Sequence, residues 1–263
     1  MQRICIGFFG FIRNPINYKI FNEFKSSLPE NSIIDIFITC PNKVNEYDND
    51  TDIIDINSKI IKDLSSSFDN CNIYIDIYNY EPLIFIKKAR ELGLPDYTNY
   101  PIYRLFSLHY SISRLSTNII KFTKDNNINY NSVIITRFDI MNIGIKNFSN
   151  FVKTIDKNMM YVYRYPYNNR VDADAEDRII ISSIEGIEVL CNLYDNKNGS
   201  KDIYNKLESE AILSKYLISF PNIKMLPQDG MNIPFSPSLK VKYSNESRKY
   251  LNTLIEKYKE ELA

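Results

Sequence analysis

Residues 132–138 read SVIITRF, with Asp139 directly after them. A continuous apolar run of this length has no solvent face, so it predicts a strand buried on both sides, as in the middle of a parallel sheet. The run closes on Arg137, Phe138 and Asp139. The two-residue period of a strand turns the two charged side chains the same way. Opposite charges at a buried strand end are costly unless they pair or bind something. One answer is an internal Arg137–Asp139 ion pair. The other makes Asp139 a ligand for Mg²⁺ or Mn²⁺, hard cations that combine carboxylate and phosphate oxygens.

On either side of this run, strand-like and helix-like stretches alternate. RICIGFF at 3–9 is a buried first strand ending at Gly10, and Ile16, Ile20 and Phe24 place a helix over 16–27. IIDIFIT at 33–39 is a second strand, followed by a helical stripe of Ile60, Ile61, Leu64 and Phe68. In 72–78, Ile73, Ile75 and Ile77 alternate with Tyr74, Asp76 and Tyr78, a half-buried strand. Helical spacing of Ile102, Leu105, Leu108, Ile112, Leu115 and Ile119 predicts a helix over 102–120. Strands are expected at 159–165, 178–182 and 222–227, and helices at 185–194, 203–219 and 245–262. Such alternation predicts an α/β layered domain with a mostly parallel central sheet flanked by helices. We place it at 1–235, with 236–263 as a C-terminal helical extension packed on the same domain.

Composition narrows the function. The 263 residues carry 32 Lys+Arg and 32 Asp+Glu, so the chain lacks the basic excess of a dedicated nucleic-acid binder. The apolar opening ICIGFFGFI at 4–12 is about half of what a bilayer requires. It is also followed by no small-residue cleavage site, so neither a transmembrane segment nor a secretory signal is expected. Four scattered cysteines, Cys5, Cys40, Cys71 and Cys191, read as free thiols in a reducing compartment. With one histidine, His109, a histidine-based zinc site is excluded, and His109 itself reads as a packing residue.

In open α/β sheets ligands sit beyond the carboxyl ends of the strands, so the residues after 9, 39, 78 and 138 come first. Gly7 and Gly10 lack the third glycine of a dinucleotide fingerprint. Arg13 lies just past the first strand, where a guanidinium can clamp a diphosphate with two hydrogen bonds. Arg104, Ser107, Ser111 and Arg114 form a polar stripe on the 102–120 helix, either a donor-rich pocket wall or a solvated surface. Within the acidic stretch 172–177, Asp177 abuts a strand and is a candidate general base, as is Glu210 on a later helix. Tyr161, Tyr163, Tyr165 and Tyr167 share one strand face, either as an acceptor platform or as packing.

Taken in order, ICIGFFGFIRN, IIDIFITC, RLFSLHYSISRL, SVIITRFDI and ESEAILSKYL resemble a GT-A-type glycosyltransferase over about 1–220. More narrowly they are similar to small polysaccharide-type glycosyltransferases of bacteria, phages and giant viruses. The resemblance implies a GT-A-like (Rossmann-like) fold and metal-assisted transfer of a hexosyl or deoxyhexosyl group. The donor would be a UDP- or GDP-sugar, the acceptor a glycan or small carbohydrate, the cofactor Mn²⁺ or Mg²⁺, and the compartment the cytoplasm of a bacterium or a virus-infected cell. It makes Asp139 the metal or ribose contact. Arg13, Arg104, Ser107, Ser111 and Arg137 would line the nucleotide site. Arg137 stands where the stricter Asp-x-Asp motif has its first acid. Two alternatives stand beside it: a non-catalytic carbohydrate-binding protein on the same scaffold, and a nucleotidyltransferase, whose glycine- and basic-rich loop GFFGFIRN matches poorly.

Overall fold

The computed structural model describes residues 2–12, 26–43, 62, 66, 71–96, 101–138, 148–157, 159–164, 175–195, 223–226 and 249–262. For 163–164, 175–178 and 223–226 the backbone alone is described. Seven strands form one sheet: β1 (Arg3–Phe9), β2 (Ile33–Pro41), β3 (Asn72–Tyr78), β4 (Ser132–Arg137), β5 (Met160–Arg164), β6 (Ala175–Ser182) and β7 (Ile223–Leu226). The helices are α1 (Pro82–Glu91), α2 (Ile102–Asp125), α3 (Phe148–Lys153), α4 (Ile184–Cys191) and α5 (249–257). The described residues of the two earlier predicted helices, 26–27, 62 and 66, are also helical.

Strand order is β3-β2-β1-β4-β6-β5-β7. β1 pairs in parallel with β2 and β4, β2 with β3, and β5 with β7, whereas β6 runs antiparallel to both β4 and β5. The mostly parallel α/β sheet expected from the sequence is therefore present, with one reversed strand. β6 also starts three residues earlier than its apolar segment indicated.

The period of two splits the central strands between two cores. Ile4, Ile6, Phe8, Ile134, Ile179 and Ile181 face a layer that includes Phe148 and Val152 of α3. Cys5, Phe9, Val133, Ile135, Ile180 and Val162 face Ile112, Leu115 and Ile119 of α2 and Ile187 and Leu190 of α4. Coverage on both faces is why these strands read as continuous apolar runs. Gly7 lets α2 approach the central strand: a Cβ there would lie 2.8 Å from Leu115 Cδ2. A third apolar cluster joins Tyr78, Tyr80, Phe85 and Ile86 to Tyr103 and Phe106 of α2 and Leu251 and Leu254 of α5. The C-terminal helix thus packs on the same body, and Arg90 Nη1 donates to the Leu262 carbonyl at 2.7 Å.

At the amino end of the sheet, Asp35 is fully buried and holds three strands and a loop together. Its Oδ2 accepts from Arg3 Nε at 2.6 Å and from the Tyr130 hydroxyl at 2.9 Å, and its Oδ1 accepts from Asn72 Nδ2 at 2.7 Å. Three hydrogen bonds, one of them from a guanidinium, compensate the buried carboxylate, so the cluster reads as architectural. Among the described residues no helix is long and apolar enough to cross a membrane.

Candidate functional site

With β2 on one side of β1 and β4 on the other, the chain reverses its winding direction between β1 and β4. This is the crevice position of an open α/β sheet. Phe9, the last residue of β1, is in register with Arg137, the last residue of β4. The segments leading to Arg13 and Asp139 therefore leave the sheet from neighbouring points on its carboxyl edge.

Local structure shapes the strand exits at this edge. Gly10 turns out of β1 with φ +94°, in the left-handed region that favours glycine. Its N–H donates to the Thr39 carbonyl at 3.2 Å, and a Cβ at this position would meet none of the described residues within 4 Å. On β4, Phe138 is buried and stacks on Phe8 with ring centroids 5.4 Å apart, which anchors the strand end just before Asp139. Arg137 is half-buried and by alternation falls on the α2 face, with Val133 and Ile135.

The reversed strand adds to the same edge. Because Thr136 lies opposite Ile179 and Val133 opposite Ser182, β6 enters the sheet from the carboxyl end. Asp177, two residues before Ile179, has its backbone at that end; its side chain lies outside the described residues.

Sequence reasoning pointed to the ends of β2 and β3 but named no residue there. Asn42 bridges them: its N–H donates to the Tyr78 carbonyl at 2.8 Å and its Oδ1 accepts from the Tyr80 N–H at 3.0 Å. Its Nδ2 donates to Asn79 Oδ1 at 2.9 Å, and Asn79 Nδ2 donates to Glu81 Oε1 at 2.6 Å. Phe11, just past Gly10, packs edge-on against Tyr80 at 4.9 Å, so the β1 exit rests on this bridge. The only sequence signal was position, two Asn residues each within a residue of a strand end.

The polar stripe of α2 is not a solvated surface at its serines. Ser107 and Ser111 are 4% and 1% exposed. Ser111 Oγ donates to the Ser107 carbonyl at 2.9 Å and accepts from the Tyr78 hydroxyl at 2.7 Å. Burial pushes the Tyr78 phenol well above its usual pKa. Farther along, Arg114 grips Asp76 with both arms, Nε to Oδ2 at 2.6 Å and Nη2 to Oδ1 at 2.8 Å. That carboxylate, and to a lesser degree the Tyr110 hydroxyl, raises the Arg114 pKa. Arg104 is half-buried in the first turn of α2.

Of the other predicted residues, Arg13, Asp139 and Glu210 lie outside the described residues. Tyr161 is a packing residue, 3% exposed with its hydroxyl donating to Asp156 Oδ2 at 2.9 Å, while the side chain of Tyr163 and all of Tyr165 and Tyr167 lie outside the described residues. His109 is buried as expected, yet its Nε2 has no hydrogen-bond partner among the described residues, and burial lowers its pKa to about 3. All four cysteines are free, and burial pushes the Cys40 thiol up to about 12. Among the described residues no three His, Cys, Asp or Glu side chains are grouped to hold a metal ion. Asp76 is already occupied by Arg114, Asn118 and Thr39. The described carboxylates therefore do not by themselves fit a divalent cation.

No known family model matches this chain, and no curated protein matches it.

Proposed function

We propose that the chain is a GT-A-like glycosyltransferase, moving a sugar from a nucleotide diphosphate donor to a glycan or small carbohydrate acceptor. The observation that carries this reading is the pairing of Phe9 with Arg137 beside the left-handed turn at Gly10. It brings the exits toward Arg13 and Asp139 to one edge of the sheet, at the switch point where α/β sheets take their ligands.

Arg137 and Arg13 are assigned to the diphosphate, where a guanidinium supplies two directed hydrogen bonds and a charge that stays on at all working pH values. In the transferase reaction the bond between the anomeric carbon and the diphosphate oxygen breaks. The acceptor oxygen bonds to that carbon and gives up its proton. Positive charge fixed at the diphosphate stabilises the leaving group. Asp177 is assigned as the base because its strand begins at the same edge, with Glu210 the other candidate. Asp139 is the residue that would hold a divalent cation, which would neutralise charge on the diphosphate.

Thermal unfolding with UDP or GDP, each with and without Mn²⁺, tests the reading, since a ligand that binds only the folded state raises Tm. A rise for one nucleotide, with its manganese-dependent part lost in Asp139→Ala, is the expected result. Incubation with nucleotide-sugars should release nucleoside diphosphate; release of pyrophosphate from nucleoside triphosphates would assign the site to nucleotidyl transfer instead.

A further inference from the structure

A cavity of about 270 Å³ lies on the α2 face of the sheet, between the edge strand β3, its neighbour β2 and the C-terminal half of α2. It is lined by β2 residues 37–39, β3 residues 74–76 and α2 residues from Asn118 onward; Thr39 is level with Phe9, but the lining belongs to β2 and β3 and includes no residue of β1 or β4. We propose that this cavity is a second binding site, for a single ring of a neutral hexopyranose oligosaccharide.

The size fits one ring. Sites for drug-sized ligands start near ~300 Å³, so this cavity lies at the small end of that range. Its apolar wall is aromatic. Phe37 and Tyr74 stack at 4.7 Å, and Phe122 meets them at 5.3 and 4.4 Å. Pyranose rings carry C–H faces that pack against such surfaces, with hydroxyls left at the rim for hydrogen bonds.

The polar groups match a neutral polyol. Asp76 is charge-compensated by Arg114, and Asn118 donates to it at 2.8 Å. That bond uses one amide hydrogen, so among the described residues Asn118 keeps a carbonyl acceptor and a second hydrogen to offer. At the rim, exposed Lys121 and Asp125 stand four residues apart on α2 and cancel. A phosphate here would meet Asp76 and Asp125, and a cation would meet Lys121 and find Asp76 already paired with Arg114. An uncharged ligand with alternating donors and acceptors meets neither obstacle.

This inference does not depend on the nucleotide reading, and the experiment separates the two. The full chain, labelled with ¹⁵N, is titrated to millimolar concentration with neutral tetrasaccharides of glucose, galactose, mannose and N-acetylglucosamine, and in parallel with UDP and GDP. The expected result is saturable shifts at residues 74–76 and 118–126 with at least one tetrasaccharide. They should vanish in Lys121→Trp, which fills the rim from an exposed position. Tyr74→Leu should weaken the affinity by up to about tenfold, the loss of one aromatic contact. Sugar shifts at these residues with no nucleotide response anywhere would uphold the cavity and overturn the transferase reading. Absence of shifts at 74–76 and 118–126 with every tetrasaccharide, or shifts that persist in Lys121→Trp, would overturn the cavity assignment.

Discussion

Asp76 on the edge strand and Arg114 on the long helix are joined by two parallel hydrogen bonds of 2.6 and 2.8 Å. Neither side chain is fully buried, at 25% and 38% exposure, and Arg114 also lies 5.8 Å from the Tyr78 ring centroid. The pair ties the sheet edge to the helix whose N-terminal half reaches the carboxyl edge. The strand pattern had placed Asp76 on the polar side of β3, and the helix pattern had placed Arg114 on the polar stripe of α2. Their meeting across 38 residues was not visible in either pattern.

Separating that pair should loosen the edge. Solvent screening limits the interaction to ~1–2 kcal/mol, between the values for surface and buried pairs. A double-mutant cycle of Asp76→Ala and Arg114→Ala, read by urea unfolding, should return a coupling of that size. A coupling indistinguishable from zero would leave the clamp without energetic content.

Gly7 should not tolerate a larger side chain. A branched side chain at Gly7 must displace Leu115, whose Cδ2 would lie 2.8 Å from the new Cβ. Gly7→Val is expected to cost ~1–3 kcal/mol through overpacking. Combining it with Leu115→Ala should recover part of that loss relative to the sum of the two single changes. A strictly additive double variant would show that the two sites do not touch.

Acid should destabilise the fold through His109. Burial lowers its folded pKa to about 3, against an ordinary value of 6.5. Between those values the unfolded chain binds the proton and the folded chain does not, so stability falls as pH drops. The loss from this residue between pH 7 and pH 5 is about 2 kcal/mol. Replacing the imidazole in His109→Phe should flatten that part of the pH profile, whatever it does to stability at pH 7. An unchanged slope in the variant would show that His109 is not the group responsible.

Much of the fold was readable because it rests on local pattern. Apolar runs fixed β1, β2 and β4, alternation fixed β3, and helical spacing found α2, which runs five residues further than expected, to Asp125. What the pattern lacks is direction. RIII is apolar on both faces whether the strand runs up or down, so the reversal of β6 was hidden. Its first residues, Ala-Glu-Asp, carry no apolar signal at all. α1 was overlooked although Glu81-Pro82 places proline in the first helical turn, a known start signal. At the site, Arg137 was legible as the charge that ends an apolar run. Ser107 and Ser111 were legible as a polar stripe, while their burial under Tyr78 was not, because that contact joins distant segments. The Asp35 cluster has the same origin: Arg3, Asn72 and Tyr130 lie 32 to 95 residues from it.

Arg137→Lys should separate charge from geometry. Lysine keeps the positive charge but cannot make two parallel hydrogen bonds to a diphosphate. Nucleotide affinity measured by calorimetry should fall by roughly tenfold for Lys and by up to about a hundredfold for Ala. Equal affinities for all three proteins would remove Arg137 from the nucleotide site.

The proposed nucleoside diphosphate site lies where β1 and β4 end side by side. Hydrogen–deuterium exchange of the full chain with UDP or GDP and Mn²⁺ tests it most directly. Simultaneous protection of peptides spanning 8–13 and 136–140, abolished in Arg137→Ala, is the result this account predicts. Protection confined to other segments, or none with either nucleotide, would contradict it.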